Sequence, residues 1–86
     1  MNERIPIFSD LDSAVQWWAG QLRAAEFFVS IDGYTSEHGA AYMLERSART
    51  LANWRSAGTG PAYRYRRGGR PAYSLADVLA WDSGTR

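Results

Sequence analysis

The 86-residue sequence predicts a mainly α-helical chain with a two-stranded β-hairpin wing near its C-terminus. Three observations carry that expectation. Apolar residues between positions 11 and 29 recur at helical spacing. Two short stretches, each opened by a hydroxyl residue, run to Leu44 and Ser56 before a Gly-Pro stop. The chain then changes to a period of two, tyrosines alternating with arginines ahead of Arg67-Gly68-Gly69.

The first helix is expected to start at Ser9-Asp10-Leu11-Asp12, with Ser9 as the cap and acids in the first turn. Leu11, Val15, Trp18, Leu22, Ala25 and Val29 follow at steps of three and four, a continuous apolar stripe flanked by Ala14, Trp17 and Phe28. Phe27 falls on the polar side of that wheel. Asp32-Gly33 reads as the turn that closes the element. A short helix capped by Thr35 or Ser36 comes next and ends at Leu44. Another, capped by Ser47, places Ala48, Leu51 and Trp54 on one face until Gly58-Thr59-Gly60-Pro61 stops it.

Tyr63 and Tyr65 alternate with Arg64 and Arg66, giving a strand with one apolar and one basic face. Pro71 in the return strand has no N–H to offer a ladder, which predicts an edge hairpin of two strands. Ser74 caps a last helix with Leu75, Val78, Leu79 and Trp81 facing inward. Two short helices followed by a basic hairpin make the layout of a winged helix-turn-helix, here with an extra N-terminal amphipathic helix. Residues 1–33 are read as that extension, packed on the domain or at a subunit interface. Residues 34–86 are read as the DNA-binding domain.

Composition narrows the function classes. Hydrophobic residues make up 45% of the chain, enough for a globular fold. With no cysteine and the single histidine His38, there is no disulfide and no protein-built metal centre to expect. No apolar run approaches the roughly 20 residues of a membrane span, and the acidic start Met1-Asn2-Glu3 is unlike a signal peptide. A cytoplasmic, nucleoid-associated protein is the expectation. No set of nucleophile, base and orienting group is visible, and Gly58-Thr59-Gly60 and Gly68-Gly69 lack the Lys-Ser/Thr of a phosphate loop, so neither enzyme activity nor a cofactor is expected. Trp54, Trp81, Tyr63 and Tyr73 fall at core-periodic positions, which favours packing over stacking on unpaired bases.

The net charge of +1 conceals an asymmetry. Residues 1–34 carry two arginines and five acids, a balance of −3, whereas residues 35–86 carry eight arginines and four acids, a balance of +4. From Arg46 to Arg70 there are seven arginines and no acid. That is the footprint of a nucleic-acid face.

The second short helix can enter a major groove with Leu51 and Trp54 against the core and Ser47, Arg49, Thr50 and Asn53 facing DNA. Arg49 suits a bidentate pair with guanine and Asn53 one with adenine. Ser47 and Thr50 suit phosphate or base contacts. Arg46, Arg55, Arg64, Arg66, Arg67 and Arg70 are assigned to the phosphate backbone and the wing. Trp17, Phe27 and Phe28 exceed what one face of a small core needs, and are candidates for a protein interface.

The stretches Ala40-Ala41-Tyr42-Met43-Leu44, Ser47 to Arg55, Gly60-Pro61-Ala62-Tyr63 and Gly69 to Leu75, with Trp81, resemble the excisionase and MerR-like small helix-turn-helix proteins over about residues 34–82. Those include recombination directionality factors and AlpA-type regulators. The resemblance implies DNA reading by Ser47, Arg49, Thr50 and Asn53, and wing contacts by Arg67 and Arg70. It also implies double-stranded DNA as partner, self-association along it and an integrase as protein partner. A small transcriptional regulator is the alternative. A protein adaptor, such as a terminase small subunit or an antitoxin, is a third. The family usually has Gly then an aliphatic residue in the helix-turn-helix turn. Glu45 and Arg46 stand there in this chain, so Glu45 is asked to take a left-handed backbone at a cost of about 1 kcal/mol or more.

Overall fold

Among the described residues each helix is opened by a side-chain oxygen, and three of the four end on one residue of positive φ or its neighbour. The structure, a computed structural model, describes residues 10–84. Helix α1 (Leu11–Ala24) is capped by Asp10, whose carboxylate accepts from the Ser13 amide at 2.8 Å. Ser9, the expected cap, lies outside the described residues.

The helix stops five residues short of Val29. Glu26 takes φ 68°, and the amides of Glu26 and Phe27 donate back to the Arg23 and Leu22 carbonyls. This 6→1 and 5→2 pairing is a Schellman stop. It breaks the helical period, which explains why Phe27 looked misplaced: it packs on Tyr42, ring centroids 5.0 Å apart, rather than facing solvent from a helix.

Strand β1 (Tyr34–Ser36) runs directly into α2 (Glu37–Leu44), capped by Ser36 through the Gly39 amide. The other expected cap, Thr35, is fully buried and donates its hydroxyl to the Phe28 carbonyl. Glu45 ends α2 at φ 57°, and the Arg46 amide donates to the Ala41 carbonyl. The left-handed conformation asked of Glu45 is present. Helix α3 (Ala48–Ala57) is capped by Ser47 and closed by Gly58 at φ 78° with the same pairing. Glycine meets this requirement without a Cβ penalty, whereas Glu26 and Glu45 do not.

The expected two-stranded hairpin is part of a three-stranded antiparallel sheet. Strand β3 (Pro71–Ser74) is central, between β1 and β2 (Arg64–Tyr65). Pro71 is therefore on the middle strand rather than an edge, as its first residue. The Arg66 amide donates to the Arg70 carbonyl, so the next pair, Tyr65 and Pro71, is a non-hydrogen-bonded one. The proline nitrogen then faces the β1 side, where pairing ends at Ser36 opposite Ala72. A short β1 was hidden in the sequence because three residues are too few to show a period of two.

Helix α4 (Leu75–Gly84) follows β3 without a loop, and Ser74 accepts from the Asp77 amide. The Leu75 amide donates to the Gly33 carbonyl, tying α4 to the turn before β1. One core joins all four helices and the sheet: Trp18, Ala19 and Leu22 of α1 meet Ala40, Met43, Leu51, Tyr73, Leu75 and Val78. Burial of Leu22 is complete. Helix α1, expected to be an extension, is thus part of this core. Among the described residues no helix is long and apolar enough to cross a membrane.

Candidate nucleic-acid interface

Helix α3 shows solvent a face that its own apolar spacing creates. Leu51 is 1% exposed, and Arg49 and Asn53 stand two residues to either side of it, roughly 160° away on the helix at about 100° per residue. Both are exposed. Ser47 and Thr50, placed with them by the sequence, work first as structure. The Ser47 hydroxyl accepts from the Thr50 amide at 3.1 Å, and the two hydroxyls lie 3.0 Å apart in a second hydrogen bond. Such a cap leaves the next amides of the first turn pointing outward with a partial positive charge, which suits a phosphate.

The seven arginines of the acid-free window divide by their partners. Arg55 turns inward. Its Nε and Nη2 donate to the two Glu37 oxygens at 2.8 and 3.1 Å, and Tyr73 donates its hydroxyl to the same carboxylate at 2.6 Å. Arg55 also lies over the Tyr63 ring, 5.9 Å from its centroid. Burial pushes the Glu37 carboxyl up, but the hydrogen bonds from Arg55 and Tyr73 and the Arg55 charge outweigh it and hold the carboxyl below the ordinary range. Burial and the Glu37 hydrogen bond together raise the Tyr73 hydroxyl. This cluster joins α2, α3 and β3, so Arg55 holds the helix in place and is not a free cation for DNA.

Arg64 and Arg66 lie on the opposite face of the hairpin from Tyr63 and Tyr65. The Arg64 guanidinium stacks 4.0 Å from the Tyr34 ring centroid and donates to Asp32 at 3.1 Å. Arg66 stacks 4.1 Å from the centroid of Phe28. The alternation of a basic and an apolar face is therefore present, but the basic face rests on aromatic rings. On the other face Tyr63 lies 5.6 Å from Tyr65 and 6.0 Å from Tyr73, with both Tyr63 and Tyr65 exposed.

Arg46, Arg49, Arg67 and Arg70 are exposed, and their side chains have no hydrogen bond, ion pair or ring contact among the described residues. Four uncommitted cations thus remain at the start of α3 and at the hairpin turn. Neither family models nor curated proteins nor solved structures match the chain. No group of three or more metal-ligating side chains occurs among the described residues.

The proposed interface aromatics separate in the same way. Phe28 is 41% exposed, yet Arg66 covers its ring. Trp17 is half-buried and meets Trp18 edge-on at 5.0 Å. Trp17, Trp18, Ala41, Tyr42, Glu45 and Arg46 line a groove of about 620 Å³ between α1 and the end of α2. Sequence reasoning missed Asp32, Glu37 and Tyr34, the partners that divide the arginines. Nothing near them in the chain marks that role.

Proposed function

We propose that the chain is a sequence-selective double-stranded DNA-binding protein of winged helix-turn-helix form, with α3 as reading helix and the β2–β3 hairpin as wing. The observation that carries this reading is the exposed pair Arg49 and Asn53 on the face of α3 opposite Leu51. Both side-chain types make bidentate contacts with base edges, each worth about 1–3 kcal/mol of discrimination. Arg46, Arg67 and Arg70 supply charge for the backbone, and the capped start of α3 accepts a phosphate.

Within that function the excisionase role comes first, supported by the resemblance over residues 34–82 and by the aromatic groove beside Arg46, a surface through which neighbours on DNA can touch. Such a protein coats or bends several adjacent sites and directs an integrase toward excision; it needs no covalent chemistry.

A salt-titrated gel shift and footprint on duplexes of increasing length tests the proposal. With four uncommitted arginines the log–log salt slope is expected at about −4. Arg49→Ala should relax sequence choice, and Arg70→Ala should weaken all sites alike. Stepwise cooperative coverage of tandem sites fits the excisionase role. Occupancy of a single palindrome points to a dimeric regulator. Weak, salt-insensitive binding that ignores both substitutions refutes DNA recognition and favours a protein adaptor.

A further inference from the structure

A second hollow, about 340 Å³, lies between the turn at residues 30–34 and strand β2, and Ser30, Asp32, Tyr34, Arg64, Arg66 and Arg67 line it. Three guanidiniums against one carboxylate leave two positive charges in excess. Asp32 occupies the donors: the Ser30 hydroxyl donates to one of its oxygens and Arg64 Nη2 to the other, the latter at 3.1 Å. Chiefly through the Ser30 hydrogen bond, with the Arg64 charge assisting, this carboxyl is held below its ordinary range.

Two features distinguish this hollow from a merely structural ion pair. The Arg64 and Asp32 side chains are 59% and 62% exposed, against 22% and 14% for Arg55 and Glu37. An open pair of this kind holds weakly and exchanges partners with little penalty. The second feature is unused donor capacity. Arg66 keeps a buried Nε with no hydrogen-bond partner among the described residues, and Arg67 is exposed with no partner there. Stacking on Tyr34 and Phe28 holds the Arg64 and Arg66 planes in place, so little side-chain freedom remains to be lost when an anion arrives. Guanidiniums pair with phosphate in the same bidentate geometry as with carboxylate.

We infer that this hollow is a phosphate site in which Asp32 is the resident anion. A phosphate displaces the carboxylate from Arg64 and is shared with Arg67, and Asp32 is an internal competitor that holds affinity down. The identity of the incoming group as a DNA backbone phosphate rests on the DNA-binding reading above.

Asp32→Asn tests it, because the amide oxygen still accepts from Ser30 while the charge is lost. Duplex affinity at low salt should rise about five- to tenfold, as expected for removing one like charge near a phosphate. The salt slope should steepen by up to about 0.9, because Asp32 no longer offsets one arginine charge at that phosphate. Asp77→Asn, which removes an acid from the first turn of α4 that does not line the hollow, should change neither by more than about twofold. Arg64→Ala in the Asp32→Asn background should abolish the gain. Affinity and slope unchanged in Asp32→Asn, or a gain that survives Arg64→Ala, overturns the inference.

Titration with inorganic phosphate, followed through the Arg64 and Arg67 Nε–H resonances, separates the sources. Should duplex binding be intact and Arg49-dependent while Asp32→Asn changes nothing, this inference alone fails. Should duplex binding be absent while phosphate moves these resonances, more strongly in Asp32→Asn, the DNA reading fails and the hollow stands as a site for free phosphate. Silence in both overturns both.

Discussion

Replacing Glu37 by glutamine removes one charge from the centre of the α2–α3–β3 cluster while keeping the shape of the side chain. Glu37 accepts three hydrogen bonds, two from Arg55 and one from the Tyr73 hydroxyl. Glutamine has one acceptor oxygen and turns an NH2 group toward a guanidinium that can only donate. Hydrogen bonds to charged groups contribute about 1.5–3 kcal/mol each, but Arg55 is 22% exposed and recovers part of that from water. The net loss for Glu37→Gln is expected at about 2–3 kcal/mol near neutral pH, lowering the midpoint of thermal unfolding by roughly 10–20 °C for a domain of this size.

The loss is also pH-dependent. The folded-state carboxyl is held below its ordinary 4.5, so in acid the unfolded chain takes up the proton first. The Glu37 contribution is therefore complete above about pH 4.5 and disappears as pH falls through the lower folded value. Asp10 and Asp32, also lowered, titrate in both proteins and cancel in the difference. Urea unfolding at pH 7 and at stepwise lower pH measures the gap. A gap under about 0.5 kcal/mol at pH 7, within the range of an ordinary surface change, or one that stays constant into acid, refutes the cluster as a structural anchor.

Three further outcomes follow from the packing. Gly39→Ala drives a Cβ into the Thr35 hydroxyl oxygen, which is fully buried and bonded to the Phe28 carbonyl. Calorimetry should show a loss of about 1–3 kcal/mol from overpacking. Glu45→Gly, at φ 57°, should instead stabilise by up to about 1 kcal/mol through relief of the left-handed strain, seen as a higher urea midpoint. Leu22→Ala should cost about 2–5 kcal/mol as a buried truncation. A change below about 1 kcal/mol in equilibrium unfolding would mean that α1 is not part of the cooperative core.

Much of the helical framework was legible because its signals are local. Ser36, Ser47 and Ser74 each bond an amide three residues on, and such caps can be read from four consecutive residues. The apolar face of α3 was legible for the same reason, and with it Arg49 and Asn53. The end of α1 was not: Glu26 in a left-handed conformation is indistinguishable in sequence from a helical glutamate, so the stripe seemed to continue to Val29. Strand β1 was hidden because three residues are too few to show a period of two and its ladder partner β3 lies some 38 positions away.

Local chemistry alone marked the four helices of the described residues, the basic hairpin and an arginine-rich window without acids. Only the tertiary structure decided which of those arginines meet a carboxylate within the fold. Arg55 meets a carboxylate 18 positions away and Arg64 one 32 positions away, and both acids lie outside the window. Coulombic attraction and hydrogen bonding act through space over a few ångströms, so the pairing of charges depends on which elements the core brings together and not on their order along the chain.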